Sequence, residues 1–224
     1  MGMHLTVKGA TVTVQDGSDL RTILTVGELA LPAGSQTAVR GASGSGKSTF
    51  LKLISGIIRP SSGLVCWDGV TLSALSEAER DRFRGERIGF LFQDFRLFEG
   101  LTALENVLLP FTFRGAPSAD DRARARALLK AHEVRSETPA ERLSRGEMQR
   151  TALVRVLLQS PSVILADEPT ASLDRRRAGL AVDALLDAAG SLGATLLLVT
   201  HDESLLTRFD RTLTLSDGVL KEDA

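Results

Sequence analysis

Hydrophobic and polar positions follow two different periods along the chain. Residues 5–14 alternate between the two types and are rich in β-branched side chains, which is typical of strands. From about residue 95 to residue 159 the pattern favours helices, and from residue 162 strands and helices alternate again. Alternating strands and helices predict an α/β domain whose sheet is mostly parallel, with ligands bound at the carboxyl ends of its strands.

The same pattern predicts the individual elements. Strands are expected at residues 5–14, 27–31, 36–40, 64–67, 88–92, 162–166, 195–199 and, as the last strand, 211–215. Helices are expected at residues 50–54, 76–82, 102–109, 119–132, 144–159, 175–189 and 203–208. Residues 1–224 are thus predicted to be a single domain, with an α/β core (about 1–94 and 160–224) and an inserted helical subdomain (about 95–159).

Composition narrows the classes of function. The 224 residues are 43% hydrophobic and 25% charged, as in soluble globular proteins with one α/β core. The net charge of −1 does not indicate nucleic-acid binding, and the arginines of residues 122–126 are expected to form a solvated face. One cysteine, Cys66, excludes an internal disulfide and is compatible with a reducing cytosol. No apolar run approaches the roughly 18 residues that cross a bilayer, so membrane work would need another chain.

The strongest chemical signal is the segment at residues 41–49, which fits the phosphate-binding pattern G-x-x-x-x-G-K-[ST]. Its glycines let the backbone wrap around phosphate oxygens, and its N–H groups form an anion nest at the start of a helix. Lys47 is expected to reach the β- and γ-phosphates, and the Ser48 hydroxyl to ligate Mg²⁺. A strand before the loop and a helix after it argue against a Gly/Ser linker. The loop residues expected to bind the nucleoside triphosphate are Gly41, Ser43, Gly44, Ser45, Gly46, Lys47, Ser48 and Thr49.

A second signal is the apolar run at residues 163–166, which is followed by two adjacent carboxylates. The run predicts a fully buried strand. Because neighbouring side chains of a strand point in opposite directions, Asp167 and Glu168 are expected to take different tasks. Asp167 would hold Mg²⁺ through its water shell, and Glu168 would polarise the attacking water as general base. The alternative is a solvated acidic turn, which the phosphate-binding loop argues against.

Four further short motifs follow the order found in one family. They are Gln93 after a strand, Leu143-Ser144-Arg145-Gly146-Glu147, Ser172-Leu173-Asp174, and His201 after a strand. With the phosphate-binding loop and the carboxylate pair, they resemble the Q-loop, signature, D-loop and switch histidine of ABC transporter nucleotide-binding subunits. The resemblance covers essentially the whole chain. It implies a P-loop NTPase of the RecA-like type that adds an N-terminal antiparallel β subdomain to the parallel core and hydrolyses ATP with Mg²⁺.

The resemblance also implies how each site is assembled. One subunit would surround ATP and Mg²⁺ with the catalytic residues Lys47, Glu168 and His201 and the metal ligands Ser48, Gln93 and Asp167. A second copy would supply the signature residues Ser144, Arg145, Gly146 and Glu147, with Asp174 in the D-loop. Two copies would then sandwich two ATP molecules, close on ATP and open after hydrolysis.

Two positions depart from the family pattern. Position 145 is Arg where the signature has Gly, so its charge is expected either to face phosphate or to point to solvent. Val14 lies where the family places an aromatic residue that stacks on adenine, and the chain has no Tyr and no Phe or Trp before Phe50. Weaker adenine affinity and looser base selectivity are the expected result.

Residues 92–97 and 101–107 resemble the branch of the family that serves lipoprotein release, macrolide export and bacterial cell division. This implies a peripheral subunit on the cytoplasmic face of the inner membrane, attached only through integral permease subunits. A cell-division-type signalling module gated by ATP, a solute-importer ATPase and a non-transport ABC ATPase acting on ribosomes or DNA are the alternatives. Phe95, Leu97 and Phe98 are expected either to accept a coupling helix of the permease or to belong to the subdomain core.

Overall fold

A computed structural model describes residues 1–113, 115–171 and 173–222, which form ten strands in one sheet and six α-helices. The strands are β1 Leu5–Asp16, β2 Asp19–Leu31, β3 Gln36–Arg40, β4 Ser62–Trp67, β5 Val70–Thr71, β6 Ile88–Leu91, β7 Val163–Asp167, β8 Thr195–Thr200, β9 Arg211–Ser216 and β10 Val219–Glu222. The helices are α1 Lys47–Ile54, α2 Glu77–Arg87, α3 Ala103–Thr112, α4 Ala119–Ala131, α5 Arg145–Leu158 and α6 Arg175–Leu192. The strand order is β5-β4-β1-β2-β10-β9-β3-β8-β7-β6.

The parallel half of the sheet brings the chemical motifs together. Strands β9, β3, β8, β7 and β6 pair in parallel, so their carboxyl ends meet at one edge. Every residue of β8 is buried, because its two faces feed two apolar clusters. Leu197 and Val199 pack in the cluster that contains α1, and Leu196 and Leu198 pack in the cluster that contains α6. A strand buried on both faces requires the continuous apolar run that the sequence shows.

The other half of the sheet is antiparallel. Strand β1 pairs antiparallel with both β2 and β4, and β4 pairs antiparallel with the short β5. Strand β10 joins the two halves, because it runs parallel to β2 and antiparallel to β9. The expectation of a mostly parallel core with antiparallel N-terminal strands is therefore confirmed.

Helices α3, α4 and α5 share an apolar cluster of their own. Leu104 and Val107 of α3, Leu129 of α4, and Val154 and Leu158 of α5 are all buried in it. The arginines at 122, 124 and 126 lie on the exposed side of α4, as expected of a solvated face. Within the described ranges, no helix combines the length and the apolar character that crossing a bilayer requires.

Most predicted elements are present, and the differences have physical reasons. The prediction that the strand at 211–215 is the last one is wrong, because β10 follows it. Strand β10 has four residues and none of them is buried, so it carries no apolar alternation to reveal it. Strand β2 begins at Asp19 instead of residue 27, since its first four residues are exposed and polar side chains dominate there. The helix at 203–208 is a 3₁₀ helix.

Candidate nucleotide-binding and hydrolysis site

The phosphate-binding loop leaves β3 at Gly41 and enters α1 at Lys47, as the sequence predicts. Gly46 caps the helix with a φ of 105°, a conformation that residues with a Cβ rarely adopt. A Cβ on Gly41 would lie 2.4 Å from the carbonyl oxygen of Leu215. Both positions therefore need glycine, one for its torsion and the other for its close contact with β9.

Lys47 lies at the centre of the site and is 6% exposed. Its Nζ donates to the carbonyl oxygens of Gly41 (2.8 Å) and Ala42 (3.0 Å). The same ammonium is 3.1 Å from Oε1 of Glu168. The lysine charge is thus balanced inside the protein by a carboxylate, and a bound phosphate would have to exchange with that partner.

Glu168 lies just beyond β7, in a left-handed turn with a φ of 46°. Its N–H still donates to the carbonyl of Val199 in β8, at 3.0 Å, which fixes the turn. Its Oε2 is 2.5 Å from Nδ1 of His201, which follows β8. Asp167 and Glu168 do contact different partners. The cause is the left-handed turn at Glu168, which lies beyond the end of β7, and not the alternation of side chains along a strand.

Asp167 is the last residue of β7 and faces α1. Its Oδ1 accepts a hydrogen bond from the Ser48 hydroxyl at 3.1 Å. Burial raises the pKa of the Asp167 carboxyl, and the charge of Glu168 raises it further, while the Ser48 hydrogen bond opposes them. The expected pair of oxygen ligands is therefore already in contact.

The catalytic residues and metal ligands expected within one subunit, except Asp167, line one cavity of about 440 Å³. It is lined by Ser43, Gly44, Gly46, Lys47, Ser48, Thr49, Gln93, Glu168 and His201. These residues come from four separate segments of the chain, and each follows the carboxyl end of a parallel strand. Of the expected loop residues, Gly41 and Ser45 line a second cavity beside it.

The turn after Gln93 is held by a residue that sequence reasoning missed. Phe95 and Arg96 both have left-handed φ values, 59° and 48°. The buried guanidinium of Arg155 in α5 donates to the carbonyl of Phe95 at 2.5 Å and to that of Arg96 at 2.6 Å. Burial lowers the pKa of Arg155 to about 10. The contacts span about 60 positions of sequence, and no local pattern signals them.

The signature residues lie at the start of α5, away from the cavity at the phosphate-binding loop. Ser144 is the N-cap; its hydroxyl accepts from the N–H of Glu147 (3.3 Å) and donates to that residue's Oε2 (2.8 Å). The backbone N–H of Ser144, which donates to Oε2 of Glu147 at 2.9 Å, and the Ser144 hydroxyl both lower the pKa of the Glu147 carboxyl. Ser144 and Gly146 line a separate cavity of about 630 Å³ that also includes Asp174. The same chain's signature therefore does not reach its own phosphate cavity. Ser172 lies outside the described residues.

Arg145 does not simply point to solvent. Its guanidinium carbon lies 5.9 Å from the centre of the Phe95 ring, a cation–π distance. Two residues of α5 therefore contact the loop that follows Gln93. Arg145 does so from the first turn of the helix and Arg155 from the third. Neither of the two expectations for this charge, phosphate or solvent, anticipated an aromatic partner within the subunit.

The three apolar residues after Gln93 have different fates. Phe95 is 4% exposed and belongs to the core, and Leu97 packs against the same core. Phe98 is 57% exposed and lines a cleft of about 870 Å³ together with Phe113, which is 82% exposed. Of the three candidates for a coupling cleft, Phe98 is exposed in the cleft, Phe95 is buried in the core and Leu97 is partly buried against it.

The family model described as "ABC transporter" matches residues 24–171. The chain belongs to the ABC transporter family. The lipoprotein-releasing system ATP-binding protein LolD 1 of Caulobacter vibrioides is 42% identical over 95% of this chain and 92% of its own. The uncharacterized ABC transporter ATP-binding protein YbbA of Escherichia coli K12 is also 42% identical, over 95% and 94%.

A solved ABC structure agrees with the fold over nearly the whole chain. The dimeric ATP-binding cassette MJ0796 in a post-hydrolysis state, bound to ADP and phosphate, is 35% identical and matches with a TM-score of 0.88. The match covers 97% of this chain and 98% of that one. The family match and this structural match together show that the chain is an ATP-binding, ATP-hydrolysing transporter subunit, of a kind that works as a dimer.

Proposed function

We propose that this ABC subunit hydrolyses ATP at the cavity of Lys47, Gln93 and Glu168, with Glu168 as general base. The observation that carries the proposal is the contact of Glu168 with both Lys47 and His201, at 3.1 Å and 2.5 Å. A carboxylate that is 12% exposed and oriented by two partners can take a proton from a water beside the γ-phosphate. His201 holds that carboxylate in place from the end of β8.

The proposed order of events starts from the resting contacts. The γ-phosphate of ATP replaces the Glu168 carboxylate as the partner of Lys47. Glu168 then keeps His201 as its partner and is free to accept the proton of the attacking water. The ammonium of Lys47 meanwhile neutralises charge on the phosphates. Binding of nucleotide is thus coupled to release of the base.

The residues present fit a magnesium ion. Ser48 and Asp167 offer two oxygen atoms 3.1 Å apart beside the phosphate cavity, and Gln93 lines that cavity. Among the described residues no group of three or more His, Cys, Asp or Glu side chains could hold a metal. Magnesium in nucleotide sites takes one or two protein ligands and completes its shell with phosphates and water, so this donor set suits it. When bound, the ion would neutralise charge between the β- and γ-phosphates.

We further propose that a second copy completes each site with Ser144 and Gly146. The separation of the signature from its own phosphate cavity supports this, as does the dimeric state of the MJ0796 relative. The N-terminus of α5 would present N–H groups and the Ser144 hydroxyl to the phosphate. Because the hydroxyl is bonded to Glu147 in this structure, it must exchange that partner on dimer closure.

The membrane partner is proposed to bind the cleft at Phe98 and Phe113. Two exposed phenylalanine side chains in one cleft suit an apolar helix contributed by an integral permease. Residues 95–159, with the apolar cluster of α3, α4 and α5, would form the helical subdomain that moves with this partner. The names of the LolD relatives support a lipoprotein-release type of transporter. Binding to such a permease would place the subunit at the cytoplasmic face of the inner membrane.

The experiment is a pull-down of tagged Glu168→Gln protein from detergent-solubilised native membranes with Mg·ATP. This variant should trap the closed dimer on its partners, and Lys47→Ala is the matched control that should not be trapped. Recovery of a four-helix permease with a large extracytoplasmic domain is the expected result. A many-helix permease with a solute-binding protein would make the chain an importer subunit, and ribosomes without membrane protein would contradict the transport proposal.

A further inference from the structure

A second cavity, of about 800 Å³, lies beside the phosphate cavity. Ser43, Gly44 and His201 line both cavities, so the two are neighbours across the phosphate-binding loop. A nucleotide whose phosphates occupy the loop must place its sugar and base outside the phosphate cavity. The second cavity is the adjoining space large enough to take them.

The walls of this second cavity are fixed by the sheet. Arg21, Thr22 and Ile23 of β2 line it, and so do Asp217 and Gly218 in the turn between β9 and β10. That turn is tied to both neighbours, because the Gly218 carbonyl accepts from Thr25 at 2.6 Å and its N–H donates to Ser45 at 3.2 Å. The base would therefore meet a rigid surface on two sides.

None of the described residues lining this cavity is Phe, Tyr or Trp. A base prefers a flat partner, and the guanidinium group of arginine can supply one. Two arginines line the cavity. Arg40 donates from Nε to the Thr214 hydroxyl at 2.7 Å and lies 3.8 Å from Glu203. The Arg21 side chain is exposed and has no hydrogen-bond or ion-pair partner anywhere in the part of the chain that the structure describes.

Arg21 stands directly opposite Val14 in the β1–β2 hairpin. Residues in direct register across two strands project from the same face of the sheet, so the two side chains are neighbours. Val14 is 40% exposed. Its methyl groups can back the apolar stem of the arginine and leave the guanidinium plane available at the cavity.

We propose that Arg21 binds the base of a purine nucleotide by stacking its guanidinium plane on the ring, with Val14 beside it. The proposal rests on nucleotide binding at the loop, as proposed above. Stacking alone does not distinguish adenine from guanine, since both purines present the same kind of flat surface. Arg21 therefore makes a purine nucleotide bind more tightly than a ligand that has phosphates and no base. It discriminates only weakly between the two purines.

The test is calorimetric binding of Mg·ADP, Mg·GDP and pyrophosphate to the full chain and its variants. Arg21→Ala should weaken ADP and GDP binding by about fivefold to a hundredfold, the range for loss of one stacked base, and leave pyrophosphate binding unchanged. Arg21→Lys keeps the charge without the plane, so it should behave like Arg21→Ala. Arg122→Ala, on the exposed face of α4, is the matched control and should bind all three ligands as the wild type does.

A rescue separates stacking from charge. Val14→Tyr, placed in the Arg21→Ala background, should restore ADP affinity by supplying a ring on the same face of the hairpin. If Arg21→Ala weakened the binding of ADP and of pyrophosphate equally, the arginine would only attract phosphate. Wild-type affinity for ADP in Arg21→Lys would lead to the same conclusion. Either result would overturn the proposal. No binding of pyrophosphate to the wild type would instead contradict the phosphate site itself.

Discussion

Replacing Arg155 by Met tests whether the turn after Gln93 depends on one buried cation. The methionine side chain is similar in length and apolar, so it can fill the space without leaving a large cavity. What it removes are the two hydrogen bonds to the carbonyls of Phe95 and Arg96, at 2.5 Å and 2.6 Å.

The expected change in stability is small because two large terms oppose each other. Two hydrogen bonds from a charged donor contribute about 3–6 kcal/mol together. Burial lowers the pKa of Arg155 to about 10, which corresponds to about 3 kcal/mol against the charged form. Their difference lies between about 0 and 3 kcal/mol, so Arg155→Met should fold and unfold at a modestly lower denaturant concentration.

The expected change in activity is larger. Without the guanidinium, left-handed torsions at two consecutive non-glycine residues lose their support, and each is disfavoured by about 1–2 kcal/mol. Relaxation of this turn would displace Gln93, and displacements of about 1 Å at such positions reduce turnover by up to about 100-fold. Steady-state phosphate release should therefore fall at least about tenfold, while urea unfolding changes little.

The control for this experiment is Arg122→Met, which removes an exposed arginine from α4 and should leave both quantities unchanged. Arg155→Lys is a second variant, in which a single ammonium replaces a guanidinium that donates to two carbonyls. Its activity should lie between those of the wild type and Arg155→Met. Wild-type turnover in Arg155→Met would refute the positioning role. So would an activity loss that disappears once the fraction of folded protein is taken into account.

Three further predictions concern α5, α3 and β6. Arg145→Gly and Phe95→Leu should be non-additive in ATP turnover in a double-mutant cycle, since their side chains contact each other; additive effects would place the arginine on another partner. Hydrogen bonds from the N-cap of α3 lower the pKa of Glu105, so its stabilising effect is present above pH about 4.3 and lost as pH falls through the lowered pKa. The melting temperature of Glu105→Gln should then fall less than that of the wild type when the pH is lowered from 6 to 3. An equal fall in the two proteins would contradict this. Gly89→Ala should destabilise by about 1–3 kcal/mol in urea, because a Cβ would lie 2.5 Å from Val156; unchanged stability would show that α5 shifts freely.

The parts of the site that depend on local spacing could be predicted from the sequence. The glycines and lysine of residues 41–49 and the two carboxylates at the end of β7 carry their chemistry in consecutive positions. The apolar runs of β3, β7 and β8 place those segments at one sheet edge, because parallel strands end on the same side. Contact between Lys47, Glu168 and His201 is then a consequence of topology.

Features that depend on contacts between distant segments could not be predicted. The hydrogen bond from Arg155 to the carbonyl of Phe95 joins residues 60 positions apart. In addition, an arginine in an amphipathic helix is ordinarily solvated, so the sequence does not indicate that this one is buried. The left-handed turn at Glu168 is set by its N–H bond to β8, which no local signal reveals. The third case is Arg21, whose neighbour Val14 is known only once the hairpin register is known.

The most direct test of the account is the rate of Mg·ATP hydrolysis per subunit, measured for wild type and Glu168→Gln over a range of protein concentrations. If Glu168 is the base and a second copy completes each site, the wild-type rate per subunit rises with concentration to a plateau. The variant stays at least about 100-fold slower throughout, as expected for loss of a general base. A wild type no faster than Glu168→Gln, or a rate per subunit independent of concentration well below the dimer dissociation constant, would contradict the account.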